Sequence, residues 1–126
     1  MKALLIVAHG SRKAAANEEI RTLTEKIAAI GGGRFDRVRC AFLQLTEPLI
    51  PQVIVELVAA GAEEIVVFPF FIAAGSHVHA DIPAVVADAR DAHPDVAFRI
   101  APHLGGCVGI DRFILDAVVG SFGSIV

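Results

Sequence analysis

Short apolar segments alternate with stretches of helical spacing along this chain, and this alternation is what most constrains its fold. The first segment, Lys2–Ala8, is an almost continuous apolar run, typical of a strand buried on both faces. Further strands are predicted at about residues 36–43, 64–70 and 96–101, and helices at about 13–30, 48–60, 81–92 and 110–119. Strands separated by helices imply right-handed parallel crossovers. We therefore predict an α/β fold, a three-layer sandwich with a four-stranded parallel sheet flanked by helices, in a single domain covering residues 1–126.

Glycine, proline and small polar residues mark the ends of the predicted helices. Gly31 ends the first helix. Pro48 and Pro51 fit only within the first turn of the second helix, where missing amide donors cost little. Ser11 is predicted to cap the first helix and Asp81 the third, because both side chains can accept a hydrogen bond from a backbone N–H group.

Composition excludes several classes of partner. The net charge is −3 and no basic run is present, which argues against nucleic acid as a partner. No uncharged apolar run approaches the roughly 18 residues needed to span a bilayer. The first apolar run leads straight into His9 without a signal-peptide cleavage pattern, so we predict a cytoplasmic protein with no membrane partner.

The apolar content is high for a soluble domain. Hydrophobic residues make up 55% of the chain, and the mean hydropathy is +0.64. A chain of 126 residues is also small for a deep ligand cavity enclosed by one subunit. Both observations favour burial of apolar surface in an interface with a partner subunit.

Polar side chains follow the predicted strands at several points. These are His9, Gln44, Glu47, the segment around His77, and His103. Ligands bind beyond the carboxyl ends of the strands in such sheets, near a switch in strand order, so these residues can all lie on one edge. The sequence does not fix the strand order, and which of them meet stays open.

Two histidines beside glycines are the leading metal-ligand candidates. His9 precedes Gly10, and His77 comes two residues after Gly75. Imidazoles converging at one edge would suit a divalent transition metal. His79 is two positions from His77 and points the opposite way in an extended loop, so we give it a secondary, substrate-facing role.

Each candidate also has a plainer interpretation. His9 alone could equally be a hydrogen-bonded loop residue, and His103 a loop residue. Glu47 could simply interact favourably with the dipole of the second helix. Alternatively, it could accept a proton or stabilise a hydrated cation. Arg12 is ordinarily a solvated charge, but on this edge it could pair with substrate carboxylates.

Three motifs in order carry a resemblance to a known family. They are His9-Gly10-Ser11-Arg12 with Asn17 after it, the stretch 41–48 (AFLQLTEP), and the stretch 67–72 (VFPFFI) running into 75–83 (GSHVHADIP). With these motifs the chain resembles the short class II chelatases, the small cobaltochelatase and ferrochelatase group that inserts a divalent metal into sirohydrochlorin. The motifs span the first two thirds of the chain, and the last third matches only loosely.

The resemblance implies that His9 and His77 are the metal-binding and catalytic pair. Many relatives carry Glu where this chain has Gln44, which shifts a catalytic carboxylate role onto Glu47. The substrate-binding assignments are Ser11, Arg12, Gly75, Ser76 and His79. The implied substrates are sirohydrochlorin and Co²⁺, Fe²⁺ or Ni²⁺, with no organic cofactor, and two copies would form a homodimer around the tetrapyrrole cleft.

Two rival functions remain open from the sequence. His-Gly after a first strand also occurs in phosphoryl-transfer enzymes of the histidine phosphatase type, but these place Arg directly before the histidine, where this chain has Ala8. A non-catalytic tetrapyrrole or metal carrier would use the same cleft.

Overall fold

The structure, a computed structural model, describes residues 1–120, apart from the side chains of His77 and Val78. Within these residues one parallel sheet contains the strands β1 (Lys2–Ala8), β2 (Arg37–Phe42), β3 (Glu64–Pro69) and β4 (Ala97–Ile100). The helices are α1 (Ala14–Ile30), α2 (Ile50–Ala59), α3 (Ile82–Ala92) and α4 (Ile110–Val119). A π-helical turn, His77–Asp81, leads into α3, and a 3-10 turn, Leu104–Gly106, precedes α4. The predicted α/β fold with a four-stranded parallel sheet is confirmed.

The strand order is β2-β1-β3-β4, which the sequence alone did not reveal. The chain leaves β1 for β2 on one side, and it leaves β3 for β4 on the other. Neighbouring strands whose connections depart in opposite directions open a crevice between their carboxyl ends. This crevice lies directly after Ala8 and Pro69, between the ends of β1 and β3.

The two faces of the sheet are covered unequally. Helices α2 and α3 cover one face, where the larger core cluster includes Leu5, Ile54, Ile65, Val86 and Phe98. Helix α1 packs on the other face, over the half of the sheet that contains β2. The buried residues of that smaller cluster are Ile6, Ala8, Cys40 and Phe42. Among the described residues, no helix combines the length and apolarity needed to cross a membrane.

The prediction that Pro48 lies inside the second helix is wrong. Helix α2 begins at Ile50, so only Pro51 lies in its first turn. The Pro48 carbonyl accepts the Phe42 N–H at 2.9 Å, which holds Pro48 beside the end of β2. The Leu49 N–H then donates to Gln52 Oε1 at 2.7 Å, and this bond closes the first turn of the helix.

The two predicted side-chain caps are also wrong. The backbone at Asp81 is already helical, with φ −70° and ψ −44°, because the π-helical turn runs directly into α3, and its side chain makes no capping bond. Ser11 Oγ accepts the Lys13 N–H at 3.0 Å, whereas α1 begins at Ala14. Ser11 therefore closes a turn before the helix and does not cap it.

Candidate active site

The strand order brings the loop that carries His9 next to the segment that leads to His77. The Phe70 N–H donates to the Val7 carbonyl at 2.8 Å, so the chain after β3 stays paired with β1 up to the strand end. His77 begins the π-helical turn seven residues further on. The predicted metal role of its imidazole lies outside the described part of the structure.

The loop after β1 is fixed by its neighbour β2. Backbone pairing continues past the strand ends, because the Leu43 N–H donates to the Ala8 carbonyl at 2.9 Å and the Gln44 N–H to the His9 carbonyl at 3.2 Å. Gly10 has a φ of +95°, and a Cβ there would overlap the Gln44 carbonyl oxygen. Glycine at this position thus lets two backbones approach closely, which places His9 and Gln44 side by side.

Gln44 contacts His9 directly. Its Nε2 lies 2.9 Å from His9 Nε2. An amide NH₂ group can only donate, so with this orientation His9 Nε2 accepts and the proton of the neutral ring lies on Nδ1. Sequence reasoning missed this contact, because Gln44 was considered only as a polar residue after a strand and as the position where many relatives carry Glu. The available signal was its position two residues after a strand, which matters only once β2 is known to neighbour β1.

Asn17 holds the backbone between His9 and α1. Its Oδ1 accepts the Ser11 N–H at 2.9 Å, and its Nδ2 donates to the Ser11 carbonyl at 2.7 Å. The side chain is 5% exposed and is one of the few buried polar groups of the described chain. Asn17 was noticed only as part of a motif, and its position in the first turn of α1 explains its role.

Glu47 lies on the loop between β2 and α2. Its carbonyl accepts a hydrogen bond from Arg21 Nη2 at 2.9 Å, and the Arg21 guanidinium stacks over the Phe42 ring at 5.3 Å. The Glu47 side chain is exposed in a shallow groove lined also by Pro48, Gln52, Val55 and Glu56. Gln44 of this loop contacts His9, and Glu47 lies three residues further along.

The predicted substrate-binding residues lie at the same edge of the sheet. Arg12, Gly75, Ser76 and His79 are exposed, and Ser11 is half-buried. The His79 N–H donates to the Gly75 carbonyl at 3.1 Å, which is a backbone contact within the turn. A Cβ at Gly75 would meet open space, so the fold of this chain does not itself require glycine there.

The segment after β4 supports the loop that leads to His77. The Gly105 N–H donates to the Phe71 carbonyl at 3.1 Å, and a Cβ at Gly105 would overlap the Ile72 carbonyl oxygen. The His103 ring lies against the backbone of Gly106. His103 thus packs on its own turn, in agreement with its interpretation as a loop residue.

Metal-binding groups do not form a closed cage in the described part of the chain. Among the described His, Cys, Asp and Glu residues, which do not include the His77 side chain, no three lie close enough together to hold one ion.

The groove between α2 and α3 is small and does not reach the strand-end loops. This groove, lined by residues that include Pro51, Ile54, Val85 and His93, has a volume of about 230 Å³. Ligand pockets usually enclose about 300–1,000 Å³. This groove also contains no residue from the strand-end loops, so it does not extend the crevice beside His9.

Comparisons of sequence agree with the resemblance. The sequence model of the family described as CbiX matches residues 3–119. A sirohydrochlorin cobaltochelatase of Methanococcus maripaludis is 37% identical over 86 residues, which are 68% of this chain and 58% of that relative. The chloroplastic sirohydrochlorin ferrochelatase of Arabidopsis thaliana is 33% identical over 102 residues, covering 81% of this chain and 44% of that protein. The matched region thus spans less than two thirds of these relatives.

Comparisons with solved structures also find similarity to a CbiX protein and to a sirohydrochlorin chelatase. A cobalamin (vitamin B12) biosynthesis CbiX protein from Marinobacter aquaeolei VT8 aligns with a TM-score of 0.79 and 27% identity, over 94% of both chains. The sirohydrochlorin chelatase SirB from Bacillus subtilis subspecies spizizenii, solved in complex with cobalt, aligns with a TM-score of 0.74 and 30% identity. That alignment covers 82% of this chain and 43% of SirB.

Proposed function

The chain belongs to the CbiX family, and we propose that it is a sirohydrochlorin chelatase, which inserts a divalent transition metal into sirohydrochlorin. The observation that carries this proposal is the strand order, because β1 and β3 are neighbours and the loops after them carry His9 and His77. Relatives named cobaltochelatase and ferrochelatase favour Co²⁺ and Fe²⁺ as substrates, and Ni²⁺ remains a prediction from the sequence.

The reaction makes three demands on the site. The metal must lose water, the macrocycle must lose two protons from its pyrrole nitrogens, and the ring must deform so that its nitrogens reach the ion. Imidazole is a suitable ligand for iron and cobalt. It binds them less tightly than a thiolate, whose stronger bond would oppose transfer of the metal to the macrocycle. A neutral imidazole is also a base near pH 7.

His9 and His77 divide these tasks in our proposal. One imidazole holds the ion while the other accepts a pyrrole proton. The Gln44 amide, 2.9 Å from His9 Nε2, orients the His9 ring until the metal or the substrate replaces that contact. Glu47 supplies a carboxylate near the same loop, for a second proton or for a hydrated cation.

The remaining assigned residues would bind the tetrapyrrole. Its carboxylates can pair with the exposed guanidinium of Arg12. The open space beside Gly75 would admit the edge of the macrocycle close to the backbone. Ser11, Ser76 and His79 offer polar groups in the same two loops.

A second copy of the chain would complete the cleft. The groove between α2 and α3, about 230 Å³ in volume, is smaller than a usual ligand pocket and lies away from His9, and the larger groove at Glu47 is open to solvent. A homodimer that places two carboxyl edges across from each other would shield both faces of a flat macrocycle.

The proposal is tested by metal insertion into sirohydrochlorin, followed by the change in visible absorption with Co²⁺, Fe²⁺ and Ni²⁺ in turn. We expect His9→Ala and His77→Ala each to lower the rate by at least about 100-fold, the range typical of a lost acid–base group. His93→Ala is the matched control, since His93 follows the last residue of α3, away from the strand-end loops, and its loss should leave the rate unchanged.

Other outcomes of the same assay would overturn the proposal. Wild-type rates in both histidine variants would refute the site assignment. Stoichiometric retention of metal or pigment without turnover would indicate a carrier, and metal-independent hydrolysis of a phosphate ester would indicate phosphoryl transfer.

A further inference from the structure

The loop between β2 and α2 presents Gln44 to His9 from a strained backbone. Leu45, the next residue, has a φ of +70°, and it is the one non-glycine residue with a positive φ in residues 1–120. This region is unfavourable for leucine, because its Cβ approaches the following carbonyl oxygen. The Leu45 side chain is 51% exposed, so its burial does not offset the cost. Such a conformation persists only where the surroundings hold the backbone in place.

Contacts from three directions hold this loop. At its start and end, the Phe42 N–H donates to the Pro48 carbonyl at 2.9 Å, which ties the end of β2 to the residues before α2. The near limb is tied to the loop after β1, since the Gln44 N–H donates to the His9 carbonyl at 3.2 Å. The far limb is tied to α1 by a side chain, because Arg21 Nη2 donates to the Glu47 carbonyl at 2.9 Å.

Arg21 is itself held in place by its neighbours. Its Nη1 lies 3.2 Å from a carboxylate oxygen of Glu18, three residues earlier on α1. Its guanidinium lies over the Phe42 ring, 5.3 Å from the ring centre, and Phe42 is fully buried. A planar guanidinium can donate hydrogen bonds through its edge while its face stacks on an aromatic ring, which a lysine ammonium cannot do. Arg21 therefore joins α1, the end of β2 and the loop that carries Gln44.

We propose that Arg21 is a positioning residue for the active site, which holds the loop after β2 in the strained conformation that keeps Gln44 against His9. Without the guanidinium, Leu45 can relax to a negative φ, and the Gln44 amide then leaves its position 2.9 Å from His9 Nε2. The His9 ring would lose a contact that orients it and selects the nitrogen that carries its proton. This inference rests on the proposed function, in which His9 acts on the metal or on a pyrrole proton.

Metal insertion into sirohydrochlorin tests this role in three backgrounds. In the wild-type background we expect Arg21→Met, which keeps an unbranched side chain without a donor, to lower the rate about 10-fold. In the Gln44→Ala background the same change should lower the rate less than about 2-fold, because two residues that act through one contact are not additive. The loss should also be smaller in the Leu45→Asn background, since asparagine adopts a positive φ more readily and the loop then needs less support.

Arg39→Met is the matched control for loss of an arginine that ties a strand to a helix. Arg39 Nη2 lies 2.8 Å from Glu56 Oε2, so this arginine of β2 pairs with α2, and its side chain is 39% exposed. We expect Arg39→Met to insert metal at the wild-type rate. An equal loss of rate from Arg21→Met in all three backgrounds would overturn the inference, and so would the same loss in Arg39→Met.

Nitrogen-15 NMR of the histidine rings gives a measurement that does not depend on the reaction. At about pH 8.5, where an ordinary imidazole is neutral, and without metal or tetrapyrrole, we expect His9 of the wild-type protein to carry its proton on Nδ1. Arg21→Met and Gln44→Ala should both shift His9 toward a mixture of the two tautomers. An unchanged tautomer in Arg21→Met would overturn the inference. A protein that inserts no metal, but whose His9 tautomer responds to Arg21→Met, would refute the proposed function and leave the positioning role standing.

Discussion

At the scale of single residues, Gly10 is a position where one added carbon atom would disturb both the fold and the site. Replacing Gly10 with Ala adds a Cβ that overlaps the Gln44 carbonyl oxygen, at a φ of +95°. We expect Gly10→Ala to lower the free energy of unfolding by about 2 kcal/mol or more, and to slow metal insertion. Gly33→Ala is the control, since Gly33 also has a positive φ, +81°, but open space around it. Urea denaturation should show a cost of only about 1 kcal/mol there.

Gln44 allows the hydrogen bond to His9 to be tested separately from stability. Its side chain is exposed, so Gln44→Ala should leave thermal unfolding unchanged. We expect the same variant to lower metal insertion by about 10–100-fold, because the His9 ring loses the contact that orients it. Gln44→Glu replaces the donor with a carboxylate, which bonds His9 Nε2 only when the ring proton lies on that nitrogen, and with this change of tautomer it should retain most of the activity. Equal rates in wild type and Gln44→Ala would show that this contact does not matter for the reaction.

The contrast between His9 and Gln44 shows what a sequence can reveal about a site. His9 was predicted because a buried strand, a histidine and a glycine are adjacent in the chain, and local order suffices to place them. Gln44 contacts His9 only because β2 lies beside β1, and that pairing depends on long-range hydrogen bonds. The sequence also predicted Glu47 as a catalytic carboxylate on the loop after β2, and that role stays a prediction.

At the scale of elements, the pattern of apolar residues located the strands and helices well, and Gly31 ends α1 as predicted, but the local rules applied to Ser11, Pro48 and Asp81 failed. Strand β1 and helix α4 have the predicted bounds, because β1 is an apolar run buried on both faces and the apolar residues of α4 recur at helical spacing. Pro48 and Asp81 were misplaced for a different reason. The Pro48 carbonyl is bonded to β2, and the backbone before α3 is already helical from His77 onward. Neither effect can be read from neighbouring residues.

Helix α1 positions the loop after β1 through Asn17, and this can be tested. Asn17→Ala leaves the Ser11 N–H and carbonyl without their side-chain partner, at a cost of about 1–3 kcal/mol in unfolding free energy. We also expect a lower rate of metal insertion, because His9 lies two residues from Ser11. Thr24→Ala is the control, as Thr24 is a buried polar residue of α1 that bonds only within the helix, to the Ile20 carbonyl. Loss of stability without loss of rate in Asn17→Ala would leave Asn17 with a purely structural role.

At the scale of the whole molecule, the unequal cover of the two sheet faces accounts for the high hydropathy noted in the sequence. The core under α2 and α3 is extensive, whereas the side of α1 leaves β3 and α4 with exposed apolar surface. The sequence predicted an interface from composition and chain length, and the structure shows where apolar surface stays exposed among the described residues. Composition does not locate such surfaces, because the same residues would serve equally well in a core. The cytoplasmic location stays a prediction.

For the proposed homodimer, the strand order also predicts whether each subunit supplies its own histidine pair. Since β1 and β3 are neighbours in one sheet, His9 and His77 of a working pair should come from the same chain. A heterodimer of His9→Ala and His77→Ala, co-expressed with two affinity tags and purified through both, would then contain no complete pair and should insert metal no faster than either variant. The control joins wild type to the His9→Ala/His77→Ala double variant, and we expect it to retain about half of the activity or more, because one chain keeps both histidines. If the mixed single variants instead recover activity, the pair is formed across the interface, since only then would one intact pair remain.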